Sequence, residues 1–373
     1  MNLPPSHKPY IDKYFDRTNQ ILKAENLNPR VSMKVFTRGQ GRVAGLEEAV
    51  EVLLDYTDLG STGEIWTTKK DTYETKEPLM IIKGPAQSFV EMETMYLGVL
   101  SQAISKANGL KEPEPAKIKE KFERLADIYK DIPIIYFGAR HYHWKLDSMI
   151  AKAALEGGAK VTSTDIGSQH VGLKGVGTTP HILTLILAHY YGIENATRKT
   201  AELFDKHMDP SIPRVALVDT FNRELTDSLS VAEYFGKREN NYRIDTCGEN
   251  IGEGGTPFIY GRDPTFQTGT GVTIELARNL RKNLIDNGYG EYTNTFLSSS
   301  FGDEEKARAF VFANKIFKEQ TGFDLFTGVG IGEVSEAIFC TADPYEVEDK
   351  PMFKTGREFY DFQVDYQNYR RAA

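Results

Sequence analysis

The sequence predicts an α/β barrel joined to a smaller α+β domain, and three observations carry that prediction. From Asp131 onward, short apolar runs alternate with helix-like stretches, the pattern of parallel strands joined by crossover helices. Before Asp131 several strand-like runs crowd together and are followed by a single long helix pattern, which reads as an α+β block. The 373 residues also exceed what one typical core accommodates, so two domains are expected.

In the first block, residues 1–30 are polar, with Tyr10, Tyr14 and Phe15 forming an aromatic group that suits a terminal helix packed on a neighbour. The run VSMKVFTR reads as a strand. Leu46, Ala49, Val50, Leu53 and Leu54 recur at helical spacing within Gly45–Asp55. EIWTT, DTYET and PLMIIKG read as strands, and Ser88–Ala107 as a helix with Phe89, Met92, Met95, Tyr96, Val99 and Leu100 on one face. The charged run from Leu110 to Arg124 reads as a connector and the start of a solvated helix.

In the second block the strand-like runs are Ile132–Phe137, Lys160–Thr164, Val215–Asp219, Tyr242–Asp245, Thr293–Ser298 and Asp324–Val329. Helix patterns over Lys145–Leu155, Ile182–Tyr191, Leu225–Phe235, Val272–Asn287 and Asp303–Glu319 intervene. An open doubly wound sheet shares this alternation, but no G-x-G-x-x-G turn opens a helix after an early strand, which disfavours a dinucleotide fold. Ser335–Arg357 returns to alternating strand character and is expected to pack back on the first domain. The aromatic tail FYDFQVDYQNYRRAA suits a final helix or a partner contact. The division is therefore 1–125 completed by 335–373, and 126–334 for the barrel.

Hydrophobic residues make up 40% and charged residues 26%, ordinary for a globular protein. The net charge of -8 argues against general nucleic-acid binding but permits a local cluster that grips a small anion. Two cysteines, Cys247 and Cys340, provide no disulfide or zinc framework. The first residues lack an apolar signal core and no run is long enough to span a membrane, so a cytoplasmic protein is expected.

The chemistry concentrates in Ile132–His181. Arg140 follows a strand and two small residues, placing a guanidinium suited to carboxylate or phosphate at a barrel mouth. His141 and His143 lie beside it, without the further ligands a metal site needs. Gly175–His181, including Thr178, opens a helix whose N-terminus attracts anions and favours a neutral His181. Asp219, Arg243 and Asp245 end two strands and suit ribose hydroxyls or a Mg²⁺-bound diphosphate. Ser298, Ser299, Ser300 and Gly302, then Gly328 and Gly330, end the last strands with small residues that let a phosphate approach the backbone.

Taken together, YFDRT, IKGPAQSFVEMETMYLGVLS, FGARHYH, GVGTTPHIL, RVALVDTFN, YRIDT, SSSFGDEEK and GVG resemble the nicotinate phosphoribosyltransferase family, its archaeal-type branch most closely, over most of the chain. The resemblance implies an irregular TIM-like phosphoribosyltransferase barrel, an N-terminal sandwich and a homodimer with shared active sites. It implies transfer of phosphoribosyl from phosphoribosyl pyrophosphate to nicotinate, coupled to ATP hydrolysis, with Mg²⁺ carried on the diphosphate. Phe137 would stack on the pyridine and Arg140 hold its carboxyl or the diphosphate, with His141 nearby. Phe15, or else Tyr14, would stack from the partner subunit. Asp219, Arg243, Asp245 and Thr246 would hold the donor, and His181 would be phosphorylated from ATP.

Three departures accompany the resemblance. Asp165 falls where nicotinamide-using relatives carry an aspartate, which makes nicotinamide an alternative substrate. SSSFG replaces a more glycine-rich phosphate loop. Gly248–Gly271 is long, and reads as a solvated insertion in preference to a lid. A phosphosugar aldolase would need a buried strand-end lysine, and Lys160 begins its strand. A non-catalytic nucleotide-binding relative rests only on the altered SSSFG loop.

Overall fold

A computed structural model describes residues 3–357 and 365–373. Its first layer is a six-stranded antiparallel sheet. Strand β1 (Arg30–Thr37) lies at its centre, flanked by β3 (Met80–Pro85) and β10 (Cys340–Val347). Strand β2 (Glu64–Thr68) pairs with β3, and the terminal β12 (Tyr369–Arg371) pairs with β2, so the tail, read as a final helix or a partner contact, ends in a strand of this sheet. The tail's first residues lie outside the described ones. The edge strand β11 (Lys350–Pro351) completes the order β11-β10-β1-β3-β2-β12. Strand β1 is buried along almost its whole length because both faces are covered, and its polar Ser32 and Lys34 are buried with the apolar residues they alternate with.

Helices α1 (Lys13–Ala24), α2 (Leu46–Tyr56) and α3 (Glu93–Ala107) pack with this sheet in one apolar core. Helix α3 carries residues buried on nearly every side, from Glu93 to Ser105.

The second layer is a six-stranded parallel sheet. Its order is β5 (Val161–Thr162), β4 (Ile134–Tyr136), β9 (Gly328–Ile331), β8 (Thr293–Leu297), β7 (Asn240–Ile244) and β6 (Val215–Leu217). Helices α4 (Pro115–Tyr129), α5 (Trp144–Glu156), α8 (Glu224–Phe235), α9 (Ile274–Asp286) and α10 (Glu304–Thr321) pack on it. The expected closed barrel is thus an open curled sheet: among the described residues β5 and β6 do not pair. The loop before His181 spans the gap. The Val176 N–H donates to the Thr162 carbonyl (2.9 Å) and the Thr178 hydroxyl to the Val215 carbonyl (2.6 Å). Helices α6 (His181–Tyr191) and α7 (Ile193–His207) continue from that loop, and α7 has no counterpart in the sequence reading.

Two segments cross the division drawn from sequence. Ile118, Phe122 and Leu125 of α4 are buried in the parallel-sheet core, so the run read as a connector has an apolar face. Conversely, Ile182, Leu183, Ile186 and Leu187 of α6 join the first domain's core. The two domains therefore share helices, and a deep cavity lies between them.

Candidate active site

The cavity measures about 790 Å³ and is walled on one side by the C-terminal ends of the parallel strands and on the other by β10. Short apolar strands followed by small residues bring backbone and polar side chains to that edge, where α/β folds place ligands.

At one end, Phe137 follows β4 and lies 6.2 Å, ring to ring, from Phe296. Gly330 makes room for it: a Cβ there would lie 2.4 Å from a Phe137 ring carbon. Gly328 and Gly330 thus belong to strand β9, and the expected phosphate loop at this point is a strand whose glycines accommodate aromatic rings. Gly330 lines the cavity; a Cβ on Gly328 would strike Phe296.

Arg140 faces the same space, with Nη1 3.6 Å from Glu93 Oε1 and its guanidinium 5.5 Å from the Tyr14 ring centre. The neighbouring Tyr14, Asp12 and Glu93 keep it firmly charged, outweighing its burial. His141 stacks against Phe339 at 4.1 Å, and its Nδ1–H donates to the Gly332 carbonyl at 3.0 Å. Burial, with Arg140 adding to it, holds His141 down at about 4, so the ring is neutral at pH 7. His143 points elsewhere: it caps α5 and its Nε2 lies 2.8 Å from Glu48.

At the other end, Nε2 of His181 lies 3.1 Å from Asp219 Oδ2 and 2.9 Å from Lys354 Nζ. Lys354 also donates to Asp219 and to the Asp245 carbonyl (3.2 Å). Burial, reinforced by Lys354, holds the imidazole below its ordinary value and hence neutral. Lys354 and His181 hold the buried Asp219 well below the usual carboxylate range, against the effect of burial. Asp219 is 1% exposed and does not line the cavity, so it does not present its carboxylate there as the sequence reading expected. It orients His181 and Lys354 from behind.

Between the two ends, Arg243 and Asp245 line the cavity, 3.5 Å apart, and the Ser298 hydroxyl donates to Asp245 Oδ1 at 2.7 Å. Ser299 and Ser300 line it with φ of 79° and 62°. SSSFG therefore adopts the left-handed backbone that a glycine-rich loop adopts freely, at a cost of about 1–3 kcal/mol per residue. The Lys306 ammonium holds it, donating to the Ser299 carbonyl at 2.9 Å. Gly302 closes the loop against the cavity.

Several expected residues stand apart. Phe15 is 1% exposed within the first domain's core, where no partner subunit can reach it, whereas Tyr14 lines this chain's own cavity. Asp165 does not line the cavity; it pairs with Lys13 (2.9 Å) and accepts the Gly175 N–H (2.8 Å), so both its oxygens are engaged. Thr178 bridges the sheet gap, and the Thr246 hydroxyl donates to Glu224 at 2.7 Å in a buried position. Cys247, Gly248 and Glu249, where the long glycine-rich stretch begins, line the cavity. Farther on, Glu253 accepts N–H bonds from Leu225 and Thr226 while Tyr260 stays exposed.

Sequence reasoning missed Glu93, Lys354 and Arg357. Arg357 sits 3.3 Å from Glu249 and 3.4 Å from Asp343 on the cavity wall. The available signals were a carboxylate inside a largely apolar helix pattern and two cations three residues apart, after Phe353, in PMFKTGR.

Comparison with solved structures settles the architecture. The nicotinate phosphoribosyltransferase of Vibrio cholerae superposes with a TM-score of 0.69 at 12% identity, covering 92% of this chain and 87% of that one. That of Porphyromonas gingivalis gives 0.66 at 14%, covering 94% and 93%. The chain has their fold. Residues 12–104 also match the family model described as the N-terminal domain of quinolinate phosphoribosyl transferase. The nicotinate-nucleotide pyrophosphorylase of Pyrococcus furiosus is 26% identical over 95% of this chain and 80% of that one, with a TM-score of 0.45. No helix among the described residues is long and apolar enough to cross a membrane.

Proposed function

We propose that this chain transfers phosphoribosyl from phosphoribosyl pyrophosphate to nicotinate, releasing pyrophosphate and forming nicotinate mononucleotide for NAD synthesis. The observation that carries the reading is the two-ended cavity. An arginine and an aromatic ring suit a planar carboxylated base at one end, and a neutral histidine with a lysine suits phosphate chemistry at the other. The fold shared with nicotinate phosphoribosyltransferases agrees with it.

In this reading Phe137 stacks on the pyridine and Arg140 pairs with its carboxylate. The ring nitrogen attacks C1 of the ribose as the C1–pyrophosphate bond breaks. The developing positive charge calls for carboxylates placed in advance, and Asp245 is the cavity-lining carboxylate nearest the strand ends. Ser299, Ser300 and Gly302 hold the 5′-phosphate through the backbone. Mg²⁺ would arrive on the diphosphate, where it would supply charge neutralisation to the leaving group.

His181 would take the γ-phosphoryl group of ATP: a N–P bond forms as the bond to ADP breaks, and water later returns the imidazole. Lys354 beside Nε2 would neutralise the incoming phosphoryl oxygens. A homodimer, a cytoplasmic location and preference for nicotinate over nicotinamide belong to the same proposal. Mass spectrometry of the nucleotide product, with each base in turn, tests the transfer; a phosphoryl adduct on His181 after incubation with ATP tests the coupling. Absence of any mononucleotide product contradicts the reading.

A further inference from the structure

We propose that Glu93 decides which pyridine base the cavity accepts: as a carboxylic acid beside Arg140 it completes a site for a carboxylate, and as a carboxylate it completes one for a carboxamide. This rests on reading the cavity as a pyridine phosphoribosyltransfer site.

The geometry is specific. Glu93 opens α3, is 8% exposed, and lines the cavity with Oε1 3.6 Å from Arg140 Nη1. Arg140 in turn lies over the Tyr14 ring, whose hydroxyl donates to Asp12 at 3.3 Å. A guanidinium only donates hydrogen bonds and an ionised carboxylate only accepts them. Side by side they present one donor and one acceptor, which is the complement of a carboxamide. A nicotinate carboxylate has acceptors alone and needs two donors. Arg140 can supply both from its fork of N–H groups, and a protonated Glu93 adds an O–H donor where an ionised one would compete for the same guanidinium.

An ionised Glu93 would instead place two carboxylates on one guanidinium in a buried pocket, where like charges drive one of them to take up a proton. The groups facing Glu93 favour that uptake on balance. Burial pushes its carboxyl up to about 8, Arg140 pulls it down, and Asp343 of β10 and Asp12 before α1 push it further up. Tyr14, and Tyr96 on the same helix, are both held neutral by burial. Both forms of Glu93 are therefore accessible near neutral pH. Asp165, the sequence candidate for this choice, is engaged by Lys13 and the Gly175 N–H.

The test is the ratio of kcat/KM for nicotinate to that for nicotinamide in the full chain, from pH 6.5 to 9.5. The ratio is expected to fall about tenfold per pH unit, because one base needs the acid form and the other the carboxylate. In Glu93→Gln, which stays neutral, the ratio should be flat. A second measurement needs no variant: calorimetry of nicotinate binding at pH 8.5, in two buffers of different ionisation enthalpy, should show net proton uptake. A flat wild-type ratio, a slope surviving in Glu93→Gln, or binding without proton uptake overturns the assignment. Proton-coupled nicotinate binding without turnover would sink the transferase reading while leaving Glu93 in place. Turnover without uptake would do the reverse, and absence of nicotinate binding would sink both.

Discussion

Lys354 Nζ lies 2.9 Å from His181 Nε2, joining a C-terminal lysine to the first residue of a helix that begins at the gap in the parallel sheet. A permanent ammonium at that distance keeps the imidazole neutral, and a neutral imidazole is the form that accepts a phosphoryl group. Burial continues to lower the imidazole, but replacing Lys354 with Met removes this added repulsion while Asp219 remains, so the His181 pKa should rise. ATP-dependent activity should then fall by about 10²-fold near pH 7, with its optimum moved to higher pH. An unshifted optimum in the pH profile would count against the coupling of the two residues.

Gly330→Ala places a methyl group against the Phe137 ring. The ring has to swing out of the base-binding end, and KM for the base should rise about tenfold or more with a much smaller change in the KM for phosphoribosyl pyrophosphate. Steady-state kinetics with each substrate varied in turn separates the two.

Asp165→Ser should leave the nicotinate-to-nicotinamide ratio unchanged. It removes one of the two carboxylates at Lys13, which keeps Asp16, and the acceptor of the Gly175 N–H, and the expected loss is about 1 kcal/mol of stability, reduced by the partial exposure of the pair. Denaturant titration reads the loss. A shifted substrate ratio would restore Asp165 to the site.

Asp147 provides a pH test of stability away from the chemistry. Burial pushes its carboxyl up to about 7, opposed by the Thr164 hydroxyl that donates to it at 2.6 Å. A carboxyl raised in the folded state binds its proton more tightly there than in the unfolded chain, so its contribution is full at low pH. That contribution is lost as pH rises from about 4 through 7. Asp147→Asn should therefore flatten the decline of thermal stability across that window; an unaltered slope would show that the group titrates normally.

Much of this organisation was legible in the sequence because burial writes periodicity. The alternation after Asp131 located all six parallel strands to within a few residues, and FGARH together with GVGTTPH marked two walls of the cavity. Closure of the barrel was not legible. Val176 and Thr178 bridge the sheet edges by single hydrogen bonds that leave no repeating pattern. Gly328 and Gly330 were read as a strand end whose small residues admit a phosphate, while here they lie within the strand and the aromatic rings beside them demand glycine. Glu93 was missed because it sits inside an apolar helix pattern and Lys354 because it sits in a charged run that reads as solvated; only the fold reveals that each buried side chain faces a cavity.

In the proposed reading one cavity joins base recognition at Arg140 to phosphate chemistry at His181. Pyrophosphate release from phosphoribosyl pyrophosphate, followed with nicotinate in the presence and absence of ATP, tests it most directly. Nicotinate-dependent release is expected, accelerated by ATP in the wild type and not in His181→Ala. No release with nicotinate, nicotinamide or quinolinate, with or without ATP, would contradict it.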